Sequence, residues 1–228
     1  MSAKAGWKKC ILVRYAHQEQ AIMDSSHRVK NLVWQTSQVS STDREEYLKQ
    51  APKTVWLTGF SGSGKSTIAF ALERALMDLG KLAYTLDGDN LRQGLCRDLG
   101  FSAADRSENI RRIAEVARLM NDAGLVVISS FISPYEADRE AARAIIGHER
   151  FIEVFVSTPL ETCIQRDPKG LYRRAVAGEL KDFTGISAPY EPPVNPALQL
   201  DTRHLSIEQC LARILDVLLI TAEPNVRE

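Results

Sequence analysis

The sequence has no net charge: 29 lysines and arginines stand against 29 aspartates and glutamates in 228 residues. That balance excludes bulk electrostatic attraction to nucleic acid or to an anionic membrane, although a local basic site stays open. Long apolar runs are also missing. Stretches such as Leu125 to Ile128 are far too short to span a bilayer. Closely spaced cysteines are absent: Cys10, Cys96, Cys163 and Cys210 are scattered, so spacing shows no zinc knuckle and no redox pair. Lone thiols of this kind fit a reducing cytoplasm, where they act as small hydrophobes. After Lys4, Lys8 and Lys9 only Ile11, Leu12 and Val13 form an apolar block, too short for a secretory signal. No repeat of fixed period is visible. What remains is 44% hydrophobic and 25% charged, the texture of a globular protein long enough to bury a core without staples.

The chain changes character near residue 50. The first 30 residues carry Lys4, Lys8, Lys9, Arg14, Arg28 and Lys30 against Glu19 and Asp24, with no sustained amphipathic period. They are expected to form a poorly structured arm. Gln35 to Thr42 is nearly all polar, and one short helix is expected around Thr42 to Gln50, with Thr42 as cap and Glu45 at capping-box spacing. From Lys53 onward, β-prone and helix-periodic segments alternate. Strands are expected over Thr54 to Thr58, Lys81 to Leu86, Leu125 to Ser130, Phe151 to Val156 and Leu198 to Asp201. Helices are expected over Ser66 to Leu79, Ala104 to Ala123, Glu136 to Ile146, from Pro159 to Arg166, and over Ser206 to Leu219. Such alternation implies an α/β fold with a parallel sheet covered on both faces, and ligands beyond the C-terminal strand ends. Asp167 to Pro196, rich in Gly, Pro and charge, reads as a mobile loop with at most one helical piece.

The first strand runs into Gly59-Phe60-Ser61-Gly62-Ser63-Gly64-Lys65-Ser66, which fits G-x-x-x-x-G-K-[ST]. Glycines let the backbone bend tightly and turn its N–H groups toward phosphate oxygens. Lys65 would reach the β- and γ-phosphates of ATP, and the Ser66 hydroxyl would bind Mg2+. Thr67 follows in the first turn of a helix whose N-terminal partial charge favours anions. A chance Gly/Ser-rich turn would not sit between a strand and an amphipathic helix.

The second strand ends in Asp87-Gly88-Asp89-Asn90-Leu91-Arg92. A bare Asp-Gly-Asp is often only a turn, but at a strand end opposite a phosphate loop it points to acid–base or metal-water work. Further blocks follow: Leu99-Gly100-Phe101-Ser102, Asp105 to Arg112, Ser130 to Tyr135, Arg166 to Tyr172, and Phe183-Thr184-Gly185-Ile186.

In that order these blocks resemble the adenylylsulfate kinase family, whose members transfer phosphate from ATP to the 3′-hydroxyl of adenosine 5′-phosphosulfate. The resemblance runs from about Leu32 to Leu219 and leaves the first 30 or so residues uncovered. It implies a three-layer P-loop kinase fold with a mobile lid, a cytoplasmic sulfate-assimilation enzyme, and a homodimer. It divides the chain into an arm (1–30), an N-terminal family segment (31–52), the kinase domain (53–221, lid about 167–196) and a tail (222–228). Gly59, Ser61, Gly62, Ser63, Gly64, Lys65, Ser66 and Thr67 would hold ATP, and Ser66 with Asp87 the metal. Asp89 would orient or deprotonate the 3′-hydroxyl while Asp87 holds metal-bound water, although the two carboxylates could exchange roles. The third expected strand carries no aspartate, so the Asp87/Asp89 pair must share in anchoring metal.

On the acceptor side the resemblance implies Arg92 and Arg106 as anion contacts, since guanidinium matches phosphate and sulfate oxygens bidentately. Asn109 would hydrogen-bond the nucleotide, and Phe101 and Phe183 would clamp its adenine. On composition alone two phenylalanines are more often core, but both lie in Gly-flanked loops. Ile132 and Ser133 would contribute backbone and side chain, and Lys169 and Leu171 belong to the lid. Ser133 is often described in the family as a phosphoserine intermediate. With no histidine adjacent in sequence, and in-line transfer needing none, it reads as a substrate contact ahead of a covalent catalyst. Two rival readings are a P-loop kinase of another small nucleotide and a catalytically silent, nucleotide-binding regulatory domain. Intact Lys65, Ser66, Asp87, Asp89 and Arg106 argue against the second. No N-K-x-D motif supports a GTPase.

Overall fold

The computed structural model describes residues 32, 33 and 35–220; the expected arm and tail lie outside them. Contacts divide the chain into two units, 1–38 and 39–228. In the first, the described residues form no helix or strand. The second holds α1 (Ser41–Leu48), β1 (Thr54–Thr58), α2 (Lys65–Asp78), β2 (Ala83–Asp87), α3 (Gly88–Arg92), α4 (Ala103–Asp122), β3 (Val126–Ser130), α5 (Glu136–Ile146), β4 (Phe151–Val156), α6 (Leu160–Arg166), α7 (Leu171–Val176), β5 (Leu198–Leu200) and α8 (Ile207–Ile220).

The five strands form one sheet in the order β2-β3-β1-β4-β5, and every pairing is parallel. β1 lies at its centre with all five residues buried. Its side chains alternate between faces. Val55 and Leu57 join the layer under α2 and α8, with Leu72, Leu76, Val154, Leu200 and Ile214. Trp56 joins the opposite layer under α4 and α5, with Leu86, Ile110, Ile113, Val127, Ala142 and Phe151. A fully buried leucine such as Leu57 contributes about 1.5–3 kcal/mol to holding these layers together. From β1 the chain steps out to β2 on one side, returns to β3, and then crosses to β4 on the other. That reversal opens a crevice beyond the C-terminal ends of β1 and β3, the usual ligand position in such sheets.

The expected α/β fold with helices on both faces is observed, and element positions agree to within a residue or two. Two local readings change. The first helix starts at Ser41; Ser40 caps it, accepting from the Asp43 N–H while Asp43 bonds back. The capping box therefore lies two residues earlier than Thr42 and Glu45, because Asp43 stands three residues beyond Ser40. The segment 167–196 also has more internal structure than its composition suggests. It contains α7 and a bridge between Thr184 and Ala188, and it buries Tyr172 and Thr184. The short α3, directly after Asp87, was not visible as a separate element, because five residues carry no usable period.

Candidate functional site

The phosphate loop is a backbone construction. A Cβ at Gly59 would meet the Val156 carbonyl oxygen at 2.5 Å, and Gly64, the N-cap of α2, has φ 104°. Only glycine fits both places. The loop is braced from outside its own motif. The Ser63 carbonyl accepts from Thr158 Oγ1 at 3.2 Å and from Thr202 Oγ1 at 3.0 Å, and Arg166 in turn donates to Thr202 Oγ1 at 2.7 Å. The Tyr172 hydroxyl donates to the Ser61 carbonyl at 2.9 Å, tying α7 to the loop.

Lys65, the first residue of α2, is buried, and its Nζ donates to the Phe60 carbonyl at 2.7 Å. Burial pushes its pKa down to about 8, because a charge is costly away from water. Ser66 Oγ donates to Asp87 Oδ2 at 2.7 Å and lies 3.3 Å from Ser130 Oγ. Ser130 ends β3 opposite Asp87 in the parallel register. The phosphate loop and the carboxylate at the end of β2 are therefore in direct contact. Thr67 sits exposed one residue further along α2.

Asp87 closes β2 and caps α3, accepting from the Asp89 N–H. Asp89 itself is ion-paired with Lys169, between α6 and α7, so the segment 167–196 reaches the second carboxylate. Leu171 opens α7.

The residues expected on the acceptor side come from distant loops. The Arg92 guanidinium lies 4.4 Å from the centre of the Phe101 ring, and that of Arg106 lies 5.7 Å from it. Arg92 also donates to the Gly100 carbonyl at 2.8 Å. Arg106 donates through Nε to the Phe101 carbonyl at 3.0 Å and through Nη2 to the Asp182 carbonyl at 2.6 Å. One arginine thus joins the loop carrying Phe101 to the loop carrying Phe183. Phe101 is 58% exposed, whereas Phe183 packs edge-on against Tyr172 with centroids 5.1 Å apart. Asn109, on α4, is buried, and its Oδ1 has no hydrogen-bond partner among the described residues.

Ile132 and Ser133 follow β3. Ser133 has φ 39°, is 2% exposed, and accepts the Trp56 indole N–H on its hydroxyl at 3.2 Å. That places its Oγ beside a donor, not a base.

The structure brings Lys65, Ser66, Asp87, Asp89 and Lys169 to one crevice, and Arg92, Phe101, Arg106 and Phe183 to one linked cluster. It also shows supports that motif reading missed: Ser130, Thr158, Arg166, Tyr172 and Thr202. Ser130 had a signal, since it ends an expected strand and opens one of the blocks that carry the resemblance. The threonines had none, because an isolated threonine near a strand end is common everywhere.

The arrangement can hold a polyphosphate on a loop, offer oxygen ligands to a hard cation, and present carboxylates to an acceptor. A family model described as Adenylylsulphate kinase matches residues 51–201. An adenylyl-sulfate kinase of Citrobacter koseri is 57% identical over 189 residues, spanning 83% of this chain and 94% of that protein. An adenylyl-sulfate kinase of Shewanella pealeana is 55% identical over 190 residues, spanning 83% and 93%. Among solved structures, the Mycobacterium tuberculosis APS kinase in complex with AMPPNP and APS superposes with a TM-score of 0.71 at 50% identity, covering 74% of this chain and 98% of that one.

Proposed function

The chain belongs to the adenylylsulphate kinase family, and on that premise we propose how its residues move the γ-phosphoryl group of ATP to the 3′-hydroxyl of adenosine 5′-phosphosulfate. Phosphoryl transfer needs alignment and charge neutralisation more than covalent chemistry. The loop from Gly59 to Thr67 cradles the triphosphate, and Lys65 leaves the Phe60 carbonyl to reach the β- and γ-oxygens. Ser66 and Asp87, with Ser130 beside them, make an oxygen-only donor set of the kind Mg2+ prefers. No cluster of three or more His, Cys, Asp or Glu occurs among the described residues. That suits a metal bound partly through nucleotide and water. When bound, Mg2+ would offset negative charge on the phosphates of the nucleotide.

Asp89 orients or deprotonates the attacking 3′-hydroxyl, and Lys169 holds its carboxylate across the crevice. Arg92 and Arg106 take the acceptor's phosphate and sulfate oxygens. Phe101 and Phe183 flank its adenine, and Asn109 spends its unpaired Oδ1 on it. Leu171 packs at the lid. Ser133 acts as an acceptor contact and not as a phosphorylated intermediate, because the indole N–H that bonds its hydroxyl can only donate and cannot take a proton. We read the enzyme as a cytoplasmic homodimer acting on a small molecule and on neither nucleic acid nor membrane. The free, buried Cys96, Cys163 and Cys210 support a reducing compartment. No described helix is long and apolar enough to cross a membrane.

The observation that carries this reading is the 2.7 Å contact between Ser66 and Asp87, which sets the acceptor-side carboxylates against the donor loop. A coupled assay with ATP and a panel of acceptors tests it, setting adenosine 5′-phosphosulfate beside AMP, CMP and shikimate. Strong preference for the first is expected. Preference for another member would replace the substrate, and ATP binding without turnover of any would make the chain a silent nucleotide-binding domain.

A further inference from the structure

Among the described residues the most deeply buried cationic side chain has no place in the chemistry above. Arg139, on α5, is 1% exposed, and its guanidinium reaches three separate segments. Nε donates to Glu153 Oε1 on β4 at 2.9 Å, Nη1 to the Ser133 carbonyl at 2.9 Å, and Nη2 to the Glu191 carbonyl at 2.8 Å. Arg143 already pairs with the other oxygen of Glu153 at 2.9 Å. A buried ion pair is weak evidence for stability alone. Pairing with Glu153 would not call for the planar fork that also captures two backbone carbonyls.

Those two carbonyls lie at chosen places. Ser133 is held in the left-handed region at φ 39°, which a side-chain-bearing residue occupies only under constraint. The peptides on both sides of it are tethered. The Ile132 carbonyl accepts from Thr58 Oγ1 at 2.7 Å and from the Gly59 N–H at 3.5 Å. The Ser133 carbonyl accepts from Arg139, and from Thr58 Oγ1 at 3.4 Å. In a trans peptide the N–H faces opposite to the preceding carbonyl, so the Ser133 N–H points away from β1. Neither it nor the Ile132 N–H donates to a described residue, although Ser133 is almost fully buried. Buried backbone donors without acceptors are rare in folded proteins; Ser133 is buried, and the half-buried Ile132 stands beside it. The third arm of the guanidinium fixes the returning end of the lid. Glu191 N–H donates to the Pro134 carbonyl at 2.8 Å, Glu191 Oε2 accepts the Glu136 N–H at 2.7 Å, and the neighbouring Tyr190 ring packs on Phe60.

We propose that Arg139 is a positioning residue for the acceptor nucleotide. It sets the Ser133 backbone so that the Ile132 and Ser133 N–H groups donate to acceptor oxygens, and it locks the end of the lid to the same loop. The proposal rests on the assignment of Ile132 and Ser133 to the acceptor side. Arg139→Lys keeps the charge toward Glu153 but cannot reach two carbonyls at once. Glu153→Gln leaves both carbonyl bonds in place. The double variant Arg139→Met/Glu153→Gln removes the fork without leaving a buried carboxylate, and carries the test if Arg139→Lys does not fold.

Steady-state kinetics with each substrate varied, beside thermal melts, give the readout. Both fork-less variants should raise the acceptor KM about tenfold or more while the ATP KM stays within about twofold, since charge-assisted bonds to the loop are lost and the donor loop is not. Glu153→Gln should resemble wild type in both constants. An unchanged acceptor KM, a parallel rise for both substrates, or a Glu153→Gln effect equal to Arg139→Lys would overturn the proposal. So would failure of both fork-less variants to fold while Glu153→Gln folds. If wild type uses a different acceptor, the substrate assignment fails, and the same KM split against that acceptor still upholds Arg139.

Discussion

The proposed donor half and the proposed acceptor half of the crevice are built by opposite means. The donor half is one contiguous loop, Gly59 to Thr67, whose shape follows from glycines at positive φ and from the start of a helix. The acceptor half draws on the end of β2, the loop before α4, the loop after β3 and the segment 167–191. Arginines donating to backbone carbonyls hold it together. A contiguous loop can be recognised from its spelling. An assembled surface depends on which loops meet, and its anchors are ordinary residues until they meet.

The sharpest way to test this contrast is Lys65→Ala. The donor half works through one preorganised charge, and losing such a group costs on the order of 100- to 1000-fold in kcat. Circular dichroism should show an unchanged fold, and near-wild-type turnover by the purified variant would contradict the donor assignment.

Arg106→Ala probes the other half. It removes the proposed anion contact and unties the Phe101 loop from the Phe183 loop. The acceptor KM should rise about tenfold or more with little change in that for ATP. A rise confined to ATP would move Arg106 to the donor side and dissolve the division drawn here.

The smallest effect comes from pH. Lys65 in the free enzyme loses its proton near pH 8 because it is buried, whereas bound phosphates favour its charged form. The ratio kcat/KM for ATP, which reports the free enzyme, should therefore fall a few-fold as pH rises through about 8, while kcat holds to higher pH. Stability runs the other way. The folded pKa lies below the ordinary 10.5, so the unfolded chain binds more protons between about pH 8 and 10.5, and Lys65 favours the fold increasingly across that window. Denaturant midpoints at stepped pH separate the two trends. A flat kcat/KM profile would mean that Lys65 stays charged in its buried place.

Much of this was legible beforehand. The strand–loop–helix around Lys65, the alternation that gives a parallel sheet, and the carboxylates closing β2 all follow from local pattern, because period and turn chemistry are written in neighbouring residues. In the segment 167–196 the one helical piece is α7, but composition does not show how the segment packs on the phosphate loop. Tyr172 and Tyr190 are two of three aromatics in a Gly/Pro-rich stretch, yet Tyr172 bonds the Ser61 carbonyl, and Tyr190 packs on Phe60 and shares a hydrogen bond with Thr58. Composition counts residues and cannot weigh what each one reaches. The α1 cap was displaced for a smaller reason: Ser40, Ser41 and Thr42 are all competent caps, and Asp43 picks among them.

The sequence by itself determined the elements, their order, the phosphate loop and the family, since each depends on residues a few positions apart or on motifs in fixed succession. Only the tertiary structure decided that Ser130 stands beside Ser66 and Asp87, that Lys169 holds Asp89, and that Arg139 spans Ser133, Glu153 and Glu191. Those contacts join residues that the chain keeps far apart. They form because the parallel sheet brings its strand ends to one edge, where a buried charge or carbonyl must find whatever partner the packing of neighbouring segments supplies.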